Sequence, residues 1–211
     1  MKILFLESVD STQVYLKKLL VEKKIKAPYA VVAKIQTAGQ GSRDNSWVSL
    51  EGNLFLSFAL PLTSLPKDLK MESASIYFAY ILKMTLENEL SSIWLKWPND
   101  FYLKDKKVGG MITTVVENSF VCGVGLNLQN IEKKFAKLDI EISKEKLLAK
   151  YFKNLEKEFS WKQIFSKYKL EFYKNQNFSA HENNIKISLG ETHLEDDGSV
   201  TSNGIRMYSR R

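Results

Sequence analysis

The sequence predicts an α+β fold: a mixed, largely antiparallel sheet flanked by helices, with a small C-terminal β appendage. Two observations predict this class. Short polar turns at 105–106 and 117–119 separate apolar runs, which is the pattern of β-hairpins. A long helical periodicity covers about 67–90, and two more cover about 143–158 and 161–174. Strands and helices therefore do not alternate in regular βαβ units.

The first third of the chain predicts strands, one helix and a polar loop. In chain order these are a strand over 2–6, a helix ending near 24, a strand over 29–35, a loop over 36–47 and a strand over 53–60. Asp10 or Ser11 has a side chain suited to cap the helix. Pro61 would stop the last strand, because proline cannot donate to a sheet ladder.

The rest of the chain predicts further strands at about 93–97, 100–103, 107–117 and 119–127. From about 179 the sequence changes character. Short β-like runs alternate with the turn pairs Asp197-Gly198 and Asn203-Gly204. We therefore expect two domains, a main domain over 1–178 and a small β domain over 179–211.

Composition places the chain among ordinary globular proteins, because 44% of its 211 residues are hydrophobic and 26% are charged. The net charge is +7. Such a charge suggests acidic partners, such as phosphorylated ligands, nucleic acid or an acidic protein. It is equally explained by lysine-rich helix faces in contact with solvent.

Cysteine and histidine are too few for several kinds of site. Cys122 is the single cysteine, so no disulfide within the chain and no cysteine-based zinc cluster can form. The two histidines, His181 and His193, make a histidine-rich metal site improbable. The apolar run 3–6 is too short for a signal peptide or a membrane span, which predicts a cytoplasmic protein.

The first segment with potential chemistry is the loop 36–47 (QTAGQGSRDNSW). Gly39 and Gly41 would let backbone N–H groups approach a ligand, and Arg43 suits a phosphate. Trp47 offers a face on which a purine stacks. A surface loop with one hydrophobic anchor explains the same residues, and the loop alone does not separate the two interpretations.

The second segment is 96–100 (KWPND), where Pro98 breaks a strand beside an amide and a carboxylate. A hairpin turn near 105–106 would bring Asp100 close to Lys107 on paired strands. Such a pair is a plausible catalytic couple at the mouth of a site. It is equally plausible as a cross-strand ion pair that contributes less than about 1 kcal/mol.

The third segment consists of glycine-containing strands over 107–112 (KVGGMI) and 123–127 (GVGLN). Glycines inside strands mark bulges or the close approach of a ligand. Two such strands predict a shared concave surface, and Asn127 at a strand end would present its amide there.

Together and in this order, these segments resemble the catalytic domain of biotin protein ligases, of the monofunctional type without a DNA-binding domain. The resemblance spans about 3–175 and includes 8–12 (SVDST), 39–47, 96–100, 107–112 and 123–127. KWPND followed by KVGG is its most specific part. It implies the antiparallel-sheet core shared with lipoate ligases and class II aminoacyl-tRNA synthetases.

The resemblance also implies a reaction in two steps. Biotin and Mg²⁺-bound ATP would first give biotinyl-5′-AMP and pyrophosphate. A lysine of a biotin carboxyl carrier protein, usually that of acetyl-CoA carboxylase, would then accept biotin and release AMP. The implied partners include no DNA and no membrane. Family members often form homodimers, and no feature of this sequence decides whether this chain does.

The resemblance assigns roles to individual residues. Lys107 would clamp the two reacting anions, Asp100 would position Lys107 or the incoming amine, and Arg43 would hold phosphate. Biotin would be bound by Ser11, Thr12, Gln13, Gln36, Gly39, Gln40, Gly110, Ile112 and Gly123. ATP and the adenylate would be bound by Gly41, Ser42, Trp47, Asn99, Lys107 and Asn127. Mg²⁺ would be held with the ATP phosphates rather than by a protein metal site.

The chain departs from the family pattern in the glycine loop, at residue 13 and at both ends. Gln40, Ser42 and Asn45 stand at arginine positions of the loop, Asp44 replaces a glycine, and Gln13 replaces an asparagine. Charged hydrogen bonds contribute roughly 1.5–3 kcal/mol each, so we expect weaker binding of biotin or biotinyl-AMP than in typical members. The SVDST motif begins at residue 8, which leaves no room for a winged helix and predicts no operator binding. The tail is shorter than the SH3-like domain common in the family.

Two alternatives remain at this point. A lipoate protein ligase would share the fold and the adenylation chemistry, although the glycine loop with Trp47 and the KWPND segment favour biotin. A non-catalytic basic protein that binds nucleic acid is compatible with the net charge of +7. No interleaving of basic and aromatic residues supports it.

Overall fold

The computed structural model describes residues 1–42, 45–129, 131–182 and 185–208. Its centre is a seven-stranded sheet with the order β1-β2-β3-β7-β6-β5-β4. The strands are β1 (Lys2–Val9), β2 (Tyr29–Gln36), β3 (Leu54–Pro61), β4 (Trp94–Lys96), β5 (Asp100–Leu103), β6 (Lys106–Val116) and β7 (Ser119–Leu126). Only the β1–β2 pair is parallel among the neighbouring pairs of these described strands. The predicted mixed, largely antiparallel class is confirmed.

Helix α1 (Thr12–Val21) is the crossover that the parallel β1–β2 pair requires. Of the two predicted caps, Ser11 is the N-cap, and its hydroxyl accepts a hydrogen bond from the N–H of Val14. The apolar face of α1, with Leu16 and Leu20, packs on one side of the sheet against Val31 and Val121. The N-terminus of α1 lies next to the ends of β1 and β2, because Thr12 follows β1 closely in the chain and its N–H donates to Gln36 at the end of β2.

Three helices, α2 (Ala74–Glu87), α3 (Lys144–Leu155) and α4 (Trp161–Glu171), cover the other side of the sheet. Helix α2 is shorter than the predicted 67–90. A tertiary contact explains part of the difference, because the carboxylate of Asp68 accepts hydrogen bonds from the N–H groups of Trp161 and Lys162. Asp68 thus serves the start of α4 instead of extending α2.

Cys122 lies in the middle of β7 and is fully buried in the main core. Burial raises the pKa of its thiol well above the ordinary value. The thiol is therefore protonated and unreactive at neutral pH, in agreement with the structural role of a small apolar side chain.

The tail forms two small sheets. β8 (Ser179–Glu182) pairs with β9 (Ile185–Ser188), and β10 (His193–Leu194), β11 (Val200–Ser202) and β12 (Ile205–Met207) form a second sheet. Both predicted glycine turns are present, with φ of +78° at Gly198 and +76° at Gly204. Val200 and Met207 are buried in the same core as the main sheet.

Two further findings concern the described part of the chain. No helix in it combines the length and the apolar character needed to cross a membrane. No group of three or more His, Cys, Asp or Glu side chains in it lies together in a way that would hold a metal ion.

Candidate active site

A cleft opens where the N-terminus of α1 meets β3, β6 and β7 and the loop after β2. Its empty space is about 470 Å³ when the open mouth is included. The residues that line it are Ser11, Thr12, Gln13, Gln36, Gln40, Gly41, Ser42, Trp47, Ser57, Asn99, Asp100, Lys107, Gly110, Met111, Ile112, Gly123, Val124 and Gly125.

One end of the cleft is polar and organised by hydrogen bonds. Gln36 Oε1 accepts from the backbone N–H of Thr12 at 2.8 Å and from its hydroxyl at 3.0 Å. Thr12 Oγ1 also lies 2.9 Å from Ser57 Oγ, and Gln36 Nε2 donates to Ser49 Oγ. These bonds fix the orientation of the Thr12, Gln36 and Ser57 side chains at the N-terminus of α1, the positive end of the helix dipole.

Ser57 was missed by the sequence analysis. It is fully buried in the middle of β3, whose other inner residues are apolar. A buried hydroxyl needs a partner, so a serine inside such a strand is itself a sign of a polar site. That signal was available in the sequence.

The floor of the cleft depends on Gly123. A Cβ at this position would lie 3.2 Å from Ile112 Cγ1 and 3.5 Å from Gln13 Cδ. The missing side chain therefore leaves space over the face of the paired strands β6 and β7, beside Ile112 and Gln13, as the glycine-containing strands predict.

Lys107 and Asp100 form an ion pair at the mouth, with Nζ 2.7 Å from Oδ1. The side chains are 27% and 21% exposed, so the pair is accessible to a ligand but not fully hydrated. A Cβ on Gly110 would lie 3.1 Å from Asp100 Oδ1 and 3.6 Å from Lys107 Nζ. Glycine at 110 therefore provides the space that the pair occupies.

The indole of Trp47 packs against Gly125, a residue that the sequence patterns did not single out. A Cβ on Gly125 would come within 2.5 Å of Trp47 Cε2. Lys107 Nζ lies 5.8 Å from the centroid of the Trp47 ring, within cation–π range. The indole, the glycine and the lysine thus form one continuous wall of the cleft.

Two buried polar atoms of cleft residues have no partner within the part of the chain that the structure describes. They are Trp47 Nε1, a donor, and Asn99 Oδ1, an acceptor. Asn99 is 2% exposed, and its Nδ2 donates to the carbonyl of Met111. Buried groups without partners cost free energy, and their clustering in a cleft is typical of a site whose ligand completes the bonds.

Most of the predicted site residues that the structure describes line this cleft, and two, Gly39 and Asn127, do not. Gly39 is buried beneath it, where a Cβ would come within 2.6 Å of the carbonyl oxygen of Trp47. The placement of Asn127 differs from the prediction: its Nδ2 donates to the carbonyl of Ala136 at 3.1 Å, and it does not line the cleft. Arg43, predicted to hold phosphate, lies outside the described residues.

The sequence and the fold of this chain are similar to those of known proteins. Residues 5–129 match the model of the family described as Biotin/lipoate A/B protein ligase. The Helicobacter pylori biotin acetyl coenzyme A carboxylase synthetase, solved with bound biotinylated ATP, is similar over 98% of this chain and 99% of its own, with a TM-score of 0.94 and 38% identity.

The Aquifex aeolicus biotin protein ligase, solved with biotin and ATP, has the same fold, with a TM-score of 0.76 at 24% identity over 98% of this chain and 94% of its own. The bifunctional ligase/repressor BirA of Escherichia coli is 30% identical over 131 residues, which are 57% of this chain. The match spans only 38% of the length of BirA.

Proposed function

Because this chain belongs to the Biotin/lipoate A/B protein ligase family, we propose that it is an ATP-dependent biotin protein ligase. It forms biotinyl-5′-AMP and transfers biotin to a lysine of a biotin carboxyl carrier protein, such as that of acetyl-CoA carboxylase. The observation that carries this proposal is the position of Lys107. It lies beside Trp47 in the same cleft whose polar end is formed by Thr12, Gln36 and Ser57.

Biotin suits the polar end of the cleft and the space beside Gly123. Its ureido ring offers one carbonyl acceptor and two N–H donors, which Ser11, Thr12, Gln36 and Ser57 are equipped to match. Its apolar chain fits the space that Gly123 leaves over the face of β6 and β7, beside Ile112. The carboxylate then points toward Lys107.

ATP suits the opposite wall. Adenine packs against the indole of Trp47, and an amino group of the base can donate to the unpaired Oδ1 of Asn99. Gly41 and Ser42 line the same cleft, which supports a role for them in contacting the phosphates. Mg²⁺ arrives with ATP as part of the substrate and neutralises phosphate charge there.

In the first step a biotin carboxylate oxygen attacks the α-phosphorus of ATP. The bond from that phosphorus to the β-bridging oxygen breaks, and pyrophosphate leaves. Two anions must approach each other, and the Lys107 ammonium offsets their charge in a partly desolvated site. The 2.7 Å contact with Asp100 supports a role for that carboxylate in holding Lys107 in place.

In the second step the neutral amine of the acceptor lysine attacks the biotinyl carbonyl carbon. The bond from that carbon to the anhydride oxygen breaks, AMP leaves with the oxygen, and the surplus amine proton passes to solvent. No covalent bond to the enzyme is needed, and the cleft contributes orientation and charge stabilisation.

The test is transfer to a carrier domain. The protein is incubated with ATP, Mg²⁺ and either biotin or lipoate, together with a biotin carboxyl carrier domain or a lipoyl domain. Avidin blotting should show biotin on the first carrier, with no lipoylation of the second detected by mass spectrometry. Lipoylation without biotinylation would instead favour a lipoate ligase, and neither product would contradict the proposal.

A further inference from the structure

Trp97 is held by two hydrogen bonds from the last third of the chain. It is 1% exposed. Its backbone N–H donates to Asn175 Oδ1 at 2.8 Å, and its indole Nε1 donates to the carbonyl of Gly198 at 2.8 Å. Asn175 is fully buried. Both contacts connect the segment before β5 to residues far away in sequence.

Gly198 belongs to the turn between β10 and β11, residues 195–199, which we name the tail turn. Three successive carbonyls of this turn accept side-chain hydrogen bonds from three different parts of the main domain. The pairs are Trp161 Nε1 to Asp196 at 2.9 Å, Ser73 Oγ to Asp197 at 2.6 Å, and Trp97 Nε1 to Gly198 at 2.8 Å. The tail turn is thus bound to the main domain by specific, directional contacts.

The tail turn is also braced internally. The carboxylate of Asp197 accepts hydrogen bonds from Ser199 and from Arg206, and Arg206 Nε also donates to Ser199 Oγ. Burial raises the pKa of Asp197, but these bonds outweigh it and hold the pKa below its usual range. Asp197 is therefore ionised at neutral pH, and the brace keeps the Gly198 carbonyl in one orientation.

The segment 97–99 connects β4 to β5. β4 ends at Lys96 and β5 begins at Asp100, and these two residues are paired with each other. At the far end of this connection, the carbonyl of Asn99 accepts a hydrogen bond from the N–H of Met111 at 2.9 Å, and Asn99 Nδ2 donates to the carbonyl of Met111. At the near end, Trp97 is bonded to Asn175 and to the tail turn. The side chain of Asn99 and the ion pair of Asp100 follow directly from the position of this connection.

We propose that the tail turn positions Asn99 and Asp100, and through Asp100 the ammonium group of Lys107, by binding the indole of Trp97. This inference rests on the proposed function. Trp97 and Gly198 are positioning residues, because neither lines the cleft. The small C-terminal β domain then contributes to adenylation through the main domain, without contacting biotin or ATP.

The chain offers a matched pair of variants. Each variant removes one indole N–H that donates to a carbonyl of the tail turn and keeps an aromatic ring. Trp97→Phe removes the bond to Gly198, and Trp161→Phe removes the bond to Asp196. Biotin-dependent exchange of pyrophosphate into ATP is measured well below both melting temperatures, and biotin affinity is measured by calorimetry. Trp97→Phe should lower kcat/KM for ATP about tenfold, because small misplacements at a reacting centre are costly. Trp161→Phe should stay within about twofold of the wild type.

Biotin affinity without ATP should remain within about twofold in both variants, because Thr12, Gln36 and Ser57 lie on other elements. Equal losses of kcat/KM in both variants, or none in either, would overturn the inference. A wild-type protein without biotin-dependent exchange would contradict the proposed function instead.

A third variant keeps the inference testable if Trp97→Phe does not fold. Arg206→Met removes the brace from the tail turn and leaves Trp97 intact. We expect about a threefold loss of kcat/KM for ATP with unchanged biotin affinity. An unchanged kcat/KM in Arg206→Met, together with an unfolded Trp97→Phe, would also count against the inference.

Discussion

Asp100 and Lys107 form a 2.7 Å ion pair although the strand register places them opposite other residues. Asp100 is opposite Gly110, and Lys107 is opposite Tyr102. A bulge between these pairs makes Val108 the extra residue of β6, so Lys107 lies diagonal to Asp100 on the same face. The bulge and the absence of a side chain at Gly110 together permit the contact.

Lys107→Ala should abolish biotin-dependent pyrophosphate exchange, with a loss of at least about 100-fold. The reason is that the charge offsetting two reacting anions is removed. Lys106→Ala is the matched control, because Lys106 is the exposed neighbour on the same strand and the change in net charge is equal. Full exchange activity in Lys107→Ala would exclude the role assigned to Lys107.

Ser57→Ala should weaken biotin binding about tenfold in calorimetry, since it leaves the buried Thr12 hydroxyl without one of its partners. Thr85→Val serves as the control. It also removes a buried hydroxyl with hydrogen bonds, to Ile81 and Asn154, but on α2 and away from the cleft. If both variants weaken biotin binding equally, the effect is one of general stability and not of the site.

Gly125→Ala should raise the KM for ATP about tenfold, because the new Cβ would overlap the indole of Trp47 and force it from the cleft wall. Biotin affinity is the internal control and should change little. An unchanged KM for ATP in steady-state exchange assays would show that Trp47 is not the surface against which the nucleotide binds.

Gln40→Arg should tighten binding of biotinyl-AMP about tenfold, because it adds a charged hydrogen-bond donor to a residue that lines the cleft. Asn88→Arg adds the same charge at an exposed position at the end of α2. Calorimetry at two salt concentrations separates the two variants. Sub-nanomolar affinity of the wild-type protein would contradict the expectation that its atypical loop binds the adenylate weakly.

Glu171→Gln should lower the free energy of unfolding by roughly 2–3 kcal/mol, since it removes the anion paired with Lys83, whose side chain is only 1% exposed. Glu87→Gln removes the other partner of Lys83, a carboxylate that is 54% exposed, and should cost less than about 1 kcal/mol. Urea unfolding gives both values.

The same pair predicts a pH dependence. Burial raises the pKa of Glu171, but hydrogen bonds from Lys83, Tyr80 and Lys174 outweigh it and hold the pKa below its ordinary value of 4.5. A lowered folded-state pKa contributes stability above pH 4.5 that is lost as the pH falls through the lowered value. The difference between wild type and Glu171→Gln should therefore shrink in acid. A difference independent of pH would contradict this assignment.

Local patterns in the sequence were sufficient for the fold class, and the resemblance of the ordered motifs to biotin protein ligases supplied most of the candidate site residues. Alternating strands, glycine turns and helix caps depend on neighbouring residues. The hairpins, a cap at Asp10 or Ser11 and the contact between Asp100 and Lys107 were therefore predictable, while the structure selected Ser11 as the cap. The ordered motifs also predicted which segments meet in the cleft, although nothing yet tests which of their residues bind substrate.

Contacts between distant residues required the tertiary structure. Ser57 joins Thr12 across 45 residues, and Gly198 binds Trp97 across 101. The side chain of Asn127 donates to the carbonyl of Ala136 and does not line the cleft. Helix α2 begins at Ala74, later than predicted, and Asp68 accepts a hydrogen bond from the start of α4. These hydrogen bonds form between buried polar groups that are brought together only when the helices pack on the sheet. Local propensity carries no information about such long-range pairs. The sequence by itself therefore determined the chemistry available, while packing decided which side chains face the cleft.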